Sequence, residues 1–328
     1  MTKTRVRKPF MREDAQAHPG LTTEPEEFPA IELPGRRKAF YQGEERAAAK
    51  MPEKVKHPSN LMVRTATGAV YILLTVVCIW ASEVSTAIYL SVLSAICAGE
   101  FYYMLRSDAK LPNEFLGICA AALFPLATWV SGISGVVVVF AIFVLTLLVW
   151  YVFWQPARIS DVAVSLFGAV YTGVIMSCAM LLRVSLPEFW GAVLVLGLFA
   201  SVWGNDAFAY LVGSAIGKHK LAPHISQKKL GRFIAGLVVA MGFWCLLTLI
   251  PGVTMSIPQA LVFGLINGLS GVLGDLVESR IKRNSGFKDS GTIMPGHGGL
   301  LDRCDSQFLV ILTGTIMLVL GGCIPYAI

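Results

Sequence analysis

Long apolar segments recur along the chain from Thr65 to Cys323, and short polar connections separate them. An α-helix needs about 20 apolar residues to cross the hydrocarbon core of a bilayer, and the segments have about this length. The pattern therefore predicts an all-α polytopic membrane protein with about nine transmembrane helices. The predicted spans cover residues 65–82, 84–105, 112–130, 134–154, 160–182, 188–214, 233–250, 257–279 and 304–323.

The first 60 residues have a different pattern, in which prolines and charges of both signs interrupt every apolar run. A segment of this kind cannot bury enough apolar surface to fold by itself. We predict a disordered or loosely structured cytosolic tail over residues 1–60 and one transmembrane domain over residues 61–328. The basic clusters of the tail are expected to be solvated, and contact with anionic membrane lipid is the alternative.

Composition and charge agree with a membrane location. The chain is 55% hydrophobic and 15% charged, whereas soluble domains carry about 25% charged residues. With nine spans, every lysine and arginine except Arg183 falls on the same side as the N-terminus. The positive-inside rule places that side in the cytosol and the C-terminus outside, and we expect a multi-pass protein of the inner (plasma) membrane. This distribution accounts for the net charge of +6 without a nucleic-acid partner.

Charged side chains within apolar spans are candidates for function, because their burial is costly. Glu100 and the pair Asn205-Asp206 lie near the predicted cytosolic ends of spans 2 and 6. Span 8 carries Asp275 and Glu278, and Lys282 follows just after its end. These three residues are spaced i, i+3 and i+7, so they share one helical face.

Span 9 begins with two further carboxylates, Asp302 and Asp305. Two helices thus present oxygen ligands to one pocket at the cytosolic face, and such ligands favour Mg²⁺ over zinc. We predict Asp275 and Asp302 as metal ligands. The alternative is a set of interhelical salt bridges, for instance between Asp302 and Arg280.

Residues 279–305 connect these two spans and combine cations, carboxylates and five glycines. The mixture suits a metal-bridged phosphate, because glycines let the main chain approach a ligand and cations hold phosphate oxygens. His297 lies among the glycines and is predicted to act as a general acid or as a phosphate hydrogen-bonding group. A second basic patch lies between spans 6 and 7 and consists of Lys218, Lys220, Lys228, Lys229 and Arg232. That patch binds a nucleotide triphosphate or a lipid headgroup, or it is a plain positive-inside anchor.

The same stretch resembles the signature of the phosphatidate cytidylyltransferases, also called CDP-diacylglycerol synthases. The matching positions are Ser279, Lys282-Arg283, Lys288-Asp289, His297-Gly298-Gly299 and the Asp302-Arg303-Cys304-Asp305 group. Residues 204–213, residues 217–226 and Gly274-Asp275 are also similar to this family, so the resemblance covers residues 60–328 and leaves out the tail.

The resemblance implies transfer of CMP from CTP to phosphatidate, giving CDP-diacylglycerol and pyrophosphate. It implies Mg²⁺ as cofactor, with a second cation as an option, and a homodimer in the membrane. It also implies roles for individual residues. The expected catalytic residues are Asp275, Asp289, His297, Asp302 and Asp305. The expected substrate-binding residues are Asn205, Asp206, Lys228, Lys229, Ser279, Lys282, Arg283, Lys288 and Arg303.

One segment departs from the family pattern. The family usually continues between spans 6 and 7 as Ser-Pro-Lys-Lys-Thr-Trp-Glu-Gly, whereas residues 226–233 of this chain keep the two lysines and place Arg232 where the glutamate is expected. This difference leaves a non-catalytic relative open as an alternative. A cytidylyltransferase for another lipid phosphate and a transporter for an anionic solute also stay open. A transporter would show paired repeats with broken helices at mid-membrane.

Overall fold

The computed structural model describes residues 61–106, 111–187, 189–216, 220–222, 226–295 and 298–325. For residues 61, 62, 64 and 206 and for the described part of 209–232, it describes the main chain only. The predicted tail over residues 1–60 lies outside the described residues.

Helices make up almost all of the described chain. They are α1 (Leu61–Ala81), α2 (Glu83–Arg106), α3 (Glu114–Phe153), α4 (Ile159–Ala169), α5 (Ile175–Ser185), α6 (Trp190–Ile216), α7 (Leu230–Leu247), α8 (Ile257–Asn284) and α9 (Leu301–Leu320). A single π-helical turn at Val170–Val174 joins α4 to α5. The short strands β1 (Lys220–Ala222) and β2 (Ser226–Lys229) pair antiparallel between α6 and α7.

The 40-residue helix α3 is interrupted in its middle. Ser131 and Gly132 have non-helical backbone angles, and Gly132 has a φ of 59°, a conformation that glycine adopts at little cost. The predicted spans 112–130 and 134–154 lie on the two sides of this interruption. Gly135 contacts the main chain of Ala127 so closely that a Cβ could not be placed there. The two halves of α3 therefore pack tightly against each other next to the break.

The apolar surface of the protein indicates a membrane environment. Val130, Leu249 and Phe153 are 70%, 75% and 82% exposed, and many other large apolar side chains also face outward. Five of the described helices or helical segments are long and apolar enough to cross a membrane, and three shorter apolar helices accompany them. The core beneath includes the fully buried rings of Phe101, Tyr102 and Trp244. The protein is a helical membrane protein, and the count of nine spans stays a prediction.

Two helix boundaries differ from the predicted spans in a way that matters for the site. Helix α8 begins at a capping box, in which Ser256 accepts a hydrogen bond from the Gln259 amide, and it continues to Asn284, beyond the predicted end at residue 279. Helix α9 begins at Leu301, three residues before the predicted start. Lys282 and Asp302 therefore both belong to helices, because charged residues can continue a helix beyond its apolar stretch.

Candidate active site at the ends of α8 and α9

Helices α8 and α9 approach each other closely where their charged residues lie. A Cβ built on Gly274 of α8 would lie 2.5 Å from the carbonyl oxygen of Asp305 and 3.0 Å from Cα of Ser306. Only a glycine permits this contact between the two main chains. The contact places Asp275, which follows Gly274 and is half-buried, beside the first turns of α9.

A buried ion-pair triad joins the two helices. The Lys282 ammonium lies 2.7 Å from Oε2 of Glu278 on its own helix and 2.6 Å from Oδ1 of Asp302 on α9. The side chains of Glu278 and Asp302 are 0% and 4% exposed, and that of Lys282 is 14% exposed. One cation thus stands between two carboxylates, and Oε1 of Glu278 has no hydrogen-bond partner among the described residues.

Asp302 also organises the loop that precedes its helix. Its Oδ2 accepts hydrogen bonds from the main-chain amides of Ser290, at 2.9 Å, and Gly299, at 2.8 Å. The Ser290 hydroxyl in turn accepts a hydrogen bond from the Asp302 amide at 3.3 Å. Residues 290 and 299 are held against the first turn of α9 by these bonds, and an isolated bridge between Met294 and Gly298 lies between them.

An interhelical salt bridge is present, as the alternative interpretation of the sequence expects, but its cation differs. Lys282 pairs with Asp302, and Arg280 is exposed. The sequence predicts phosphate binding for Lys282, which lies at the centre of the acidic cluster. It predicts metal binding for Asp302, whose two oxygens contact Lys282 and two main-chain amides.

Asn205 of α6 lies next to this region. A Cβ on Gly236 of α7 would collide with Oδ1 of Asn205, and a Cβ on Gly271 of α8 would lie 3.8 Å from its Nδ2. Asn205 is therefore inserted between α7 and α8, one turn of α8 before Asp275. Its predicted neighbour in the site, Asp206, has only its main chain described, within α6.

The remaining predicted residues divide into three groups. Ser279 and Asp305 are half-buried on α8 and α9. Four are exposed, namely Arg283, Lys288, Asp289 and Arg303. Of the others, Lys228 and Lys229 belong to β2, where only the main chain is described, and His297 lies outside the described residues.

The residues of this site lie within a region that is similar to known proteins. The model of the cytidylyltransferase family matches residues 62–320, which include all the helices of the site. The chain belongs to the cytidylyltransferase family. The match takes in the α8–α9 contact, the ion-pair triad and the loop between the two helices.

Two phosphatidate cytidylyltransferases, one from a plant and one from a bacterium, are similar to parts of this chain. Phosphatidate cytidylyltransferase 5, chloroplastic, of Arabidopsis thaliana is 31% identical over 254 residues, which are 67% of this chain and 62% of the relative. Phosphatidate cytidylyltransferase of Staphylococcus aureus (strain COL) is 44% identical over 126 residues, which are 38% of this chain and 48% of the relative. The matched region thus spans about three fifths of the plant protein and about half of the bacterial one.

The carboxylate oxygens at this site are the kind of ligand that a hard divalent cation such as Mg²⁺ prefers. Asp275, Glu278, Asp302 and Asp305 outnumber Lys282, which is the cation that the described residues bury here. Among the same residues, Oε1 of Glu278 is a buried acceptor without a hydrogen bond. Within the described residues, no three His, Cys, Asp or Glu side chains converge as a ready metal site. Mg²⁺ is usually held by one or two carboxylates together with substrate phosphates and water, so a closed protein shell is not required.

Three residues that the structure places here are given no individual catalytic, substrate-binding or metal-binding role by the sequence, although Glu100 and Glu278 stand out in it as charged candidates. Ser290 carries no signal, since a serine in a polar loop is common. Glu100 stands out as a charged residue within an apolar span, but its contacts with residues 290, 300 and 301 lie about 200 positions away. Glu278 belongs to the charged face of span 8, and the structure makes it one member of the triad.

Proposed function

We propose that this protein transfers CMP from CTP to phosphatidate, giving CDP-diacylglycerol and pyrophosphate. The named relatives support this activity, and the observation that carries it is the buried Glu278–Lys282–Asp302 triad next to exposed cations within the family match. A transfer between two phosphates requires positioning and neutralisation of charge more than covalent help from the protein.

The proposed reaction forms one bond and breaks one bond. A phosphate oxygen of the lipid forms a bond to the α-phosphorus of CTP, and the bond from that phosphorus to the leaving pyrophosphate breaks. The exposed Arg283, Lys288 and Arg303 are suited to hold phosphate oxygens at the mouth of the pocket. Lys228 and Lys229 are proposed to contact the triphosphate, with Asn205, Asp206 and Ser279 completing the substrate contacts.

We further propose Asp275 and Asp302 as the residues that hold Mg²⁺, with a second cation as an option. When bound, the metal would neutralise charge on the phosphate oxygens. Asp289, Asp305 and His297 are proposed to support the reacting groups. The Lys282 ammonium orients Asp302, because it forms an ion pair with Oδ1 while two main-chain amides hold Oδ2.

The proposed setting is an inner (plasma) membrane crossed nine times. The N-terminal tail over residues 1–60 and the active-site pocket would face the cytosol, from which CTP arrives, and the domain over residues 61–328 would admit the lipid sideways. A homodimer is proposed from the family resemblance. The exposed apolar side chains on most helices support a lipid environment for the domain.

The test is formation of CDP-diacylglycerol from CTP and phosphatidate by the purified full chain in detergent. We expect turnover with Mg²⁺, none with EDTA, and a loss of about 100-fold or more in Asp302→Asn. Asp161→Asn is the matched control, because Asp161 is also a buried carboxylate that accepts two main-chain amides, from Leu111 and Arg158. We expect its turnover to stay near that of the wild type.

The possible failures of this test differ in meaning. If the folded wild type binds CTP without turning over phosphatidate, the substrate is another lipid phosphate. If it neither binds CTP nor turns over, it is a non-catalytic relative. Undiminished turnover in Asp302→Asn contradicts the assignment of Asp302 as a metal ligand.

A further inference from the structure

We propose that Glu100 of α2 is a positioning residue for the α8–α9 site. This inference rests on the proposed function. It concerns a side chain that lies outside the signature stretch, yet contacts that stretch at three points. Its role is to fix the loop before α9, and through that loop Asp302, in the geometry that the transfer requires.

The contacts of Glu100 all go to one short segment. Oε2 accepts hydrogen bonds from the Ser290 hydroxyl at 3.0 Å and the Leu301 amide at 2.8 Å, and Oε1 accepts one from the Leu300 amide at 3.0 Å. The residue is buried, with 6% exposure. Amides at the start of a helix have no partner within the helix and attract negative charge. Glu100, which belongs to α2, therefore supplies hydrogen-bond acceptors for the main-chain amides at the N-terminus of α9.

Two glycines lie so close to the Glu100 carboxylate that their positions leave no room for a side chain. A Cβ on Gly291 would lie 2.5 Å from Oε1 of Glu100, and a Cβ on Gly299 would lie 2.5 Å from Oε2 and collide with the Ser290 hydroxyl. Gly299 is the second glycine of the His-Gly-Gly group. Its small size is thus required by the Glu100 carboxylate and the Ser290 hydroxyl beside it.

The two carboxylates share one piece of main chain. Glu100 holds Leu300 and Leu301, and Asp302 holds Ser290 and Gly299. The Ser290 hydroxyl connects them, because it donates to Glu100 and accepts from the Asp302 amide. A change at Glu100 is therefore expected to move Asp302 and the part of the signature stretch that precedes it, although Glu100 belongs to a different helix, α2.

The test compares Glu100→Gln with Asp161→Asn in the full chain, in detergent. Both substitutions place an amide where a buried carboxylate accepts main-chain hydrogen bonds, so both remove comparable structural support. We expect Glu100→Gln to lower kcat by about 10- to 100-fold with a small change in KM for CTP. We expect Asp161→Asn to stay within about 3-fold of the wild type. Ser290→Ala removes one of the three bonds to Glu100 and the bond that the hydroxyl accepts from the Asp302 amide. The two main-chain bonds to Glu100 remain, so we expect a smaller loss in the same direction.

Hydrogen–deuterium exchange provides a readout that does not depend on turnover. In Glu100→Gln, amides of residues 290–302 should exchange faster, whereas Asp161→Asn should speed exchange near residues 111 and 158. Equal kcat losses in the two variants, or unchanged exchange at residues 290–302, would overturn the proposal. If the wild type has no transferase activity, the proposed function fails, and the exchange arm still decides whether Glu100 orders this loop. If Glu100→Gln does not fold, Ser290→Ala carries the same comparison.

Discussion

Lys282 and Asp302 form an ion pair in which Nζ lies 2.6 Å from Oδ1, and this contact joins the cytosolic ends predicted for two adjacent spans. Glu278 shares the same ammonium at 2.7 Å. Two buried carboxylates therefore depend on one cation, and the loss of that cation leaves both without a counter-charge. The stability of the protein and its proposed chemistry therefore depend on the same ion-pair triad.

Lys282→Met should destabilise the protein strongly. Removing one partner of a buried ion pair costs about 3–5 kcal/mol, because the remaining charge stays buried and uncompensated. The measurement is the free energy of unfolding in detergent, with Arg280→Met, which removes an exposed cation from the same helix, as the control. Adding Glu278→Gln to Lys282→Met should restore part of the loss. A Lys282→Met protein as stable as the control would contradict the role given to the triad.

Asn267→Leu should lower the stability of the α7–α8–α9 packing by about 1–2 kcal/mol. Asn267 is buried, accepts a hydrogen bond from Nε1 of Trp244 at 3.0 Å, and donates to the Val310 carbonyl at 2.8 Å. The substitution leaves Nε1 of Trp244 without its acceptor and removes one of the hydrogen bonds that the Val310 carbonyl accepts. Ser270→Ala is the control, because the Ser270 hydroxyl bonds within its own helix, to the Ile266 carbonyl. The free energy of unfolding of the two variants is measured by tryptophan fluorescence, and an equal loss in both would contradict the prediction.

Gly274→Ala should reduce transferase activity by about 10-fold or more, because a Cβ there pushes the Asp305 main chain, and with it α9, away from α8. Gly242→Ala in α7 is the matched control. A Cβ at Gly242 meets no atom within 4 Å, so alanine should be neutral or stabilise the helix by up to about 1 kcal/mol. Steady-state kinetics of both variants test the prediction, which fails if their kcat values agree.

Cysteine labelling tests the predicted orientation. In a background with the seven native cysteines replaced, Thr254→Cys and Lys288→Cys are both at exposed positions, before and after α8. With the C-terminus outside, an impermeant maleimide should label Thr254→Cys in intact cells and Lys288→Cys only after permeabilisation. The reverse result inverts the topology. Labelling of both from one side would mean that α8 does not cross the membrane.

The local part of the site could be predicted because helical spacing is a local property. Residues 275, 278 and 282 are three and seven positions apart, which puts them on one face of any helix. The partner of Asp302 could not be predicted in the same way. Helical spacing puts Lys282 on the acidic face of α8 and Arg280 on a different face, but it does not show which face turns toward α9. The close contact of the two helices at Gly274 accompanies the face on which Lys282 reaches Asp302, while Arg280 is exposed.

The role of Glu100 could not be predicted from spacing. A glutamate within an apolar span signals a costly burial, and that signal is visible in the sequence. Its partners at residues 290, 300 and 301 are about 200 residues away, beyond six further predicted spans. No periodicity connects residues at that separation, because their contact depends on how the intervening helices pack.

The sequence by itself determined the helical membrane architecture, the concentration of charge on one predicted face, and the family signature. Each of these depends on composition, period or local order. Tertiary structure alone decided which charges meet: Lys282 with Glu278 and Asp302, and Glu100 with the loop before α9. The physical reason is that a buried charge takes the partner that helix packing brings within about 3 Å, and packing is a property of the whole chain.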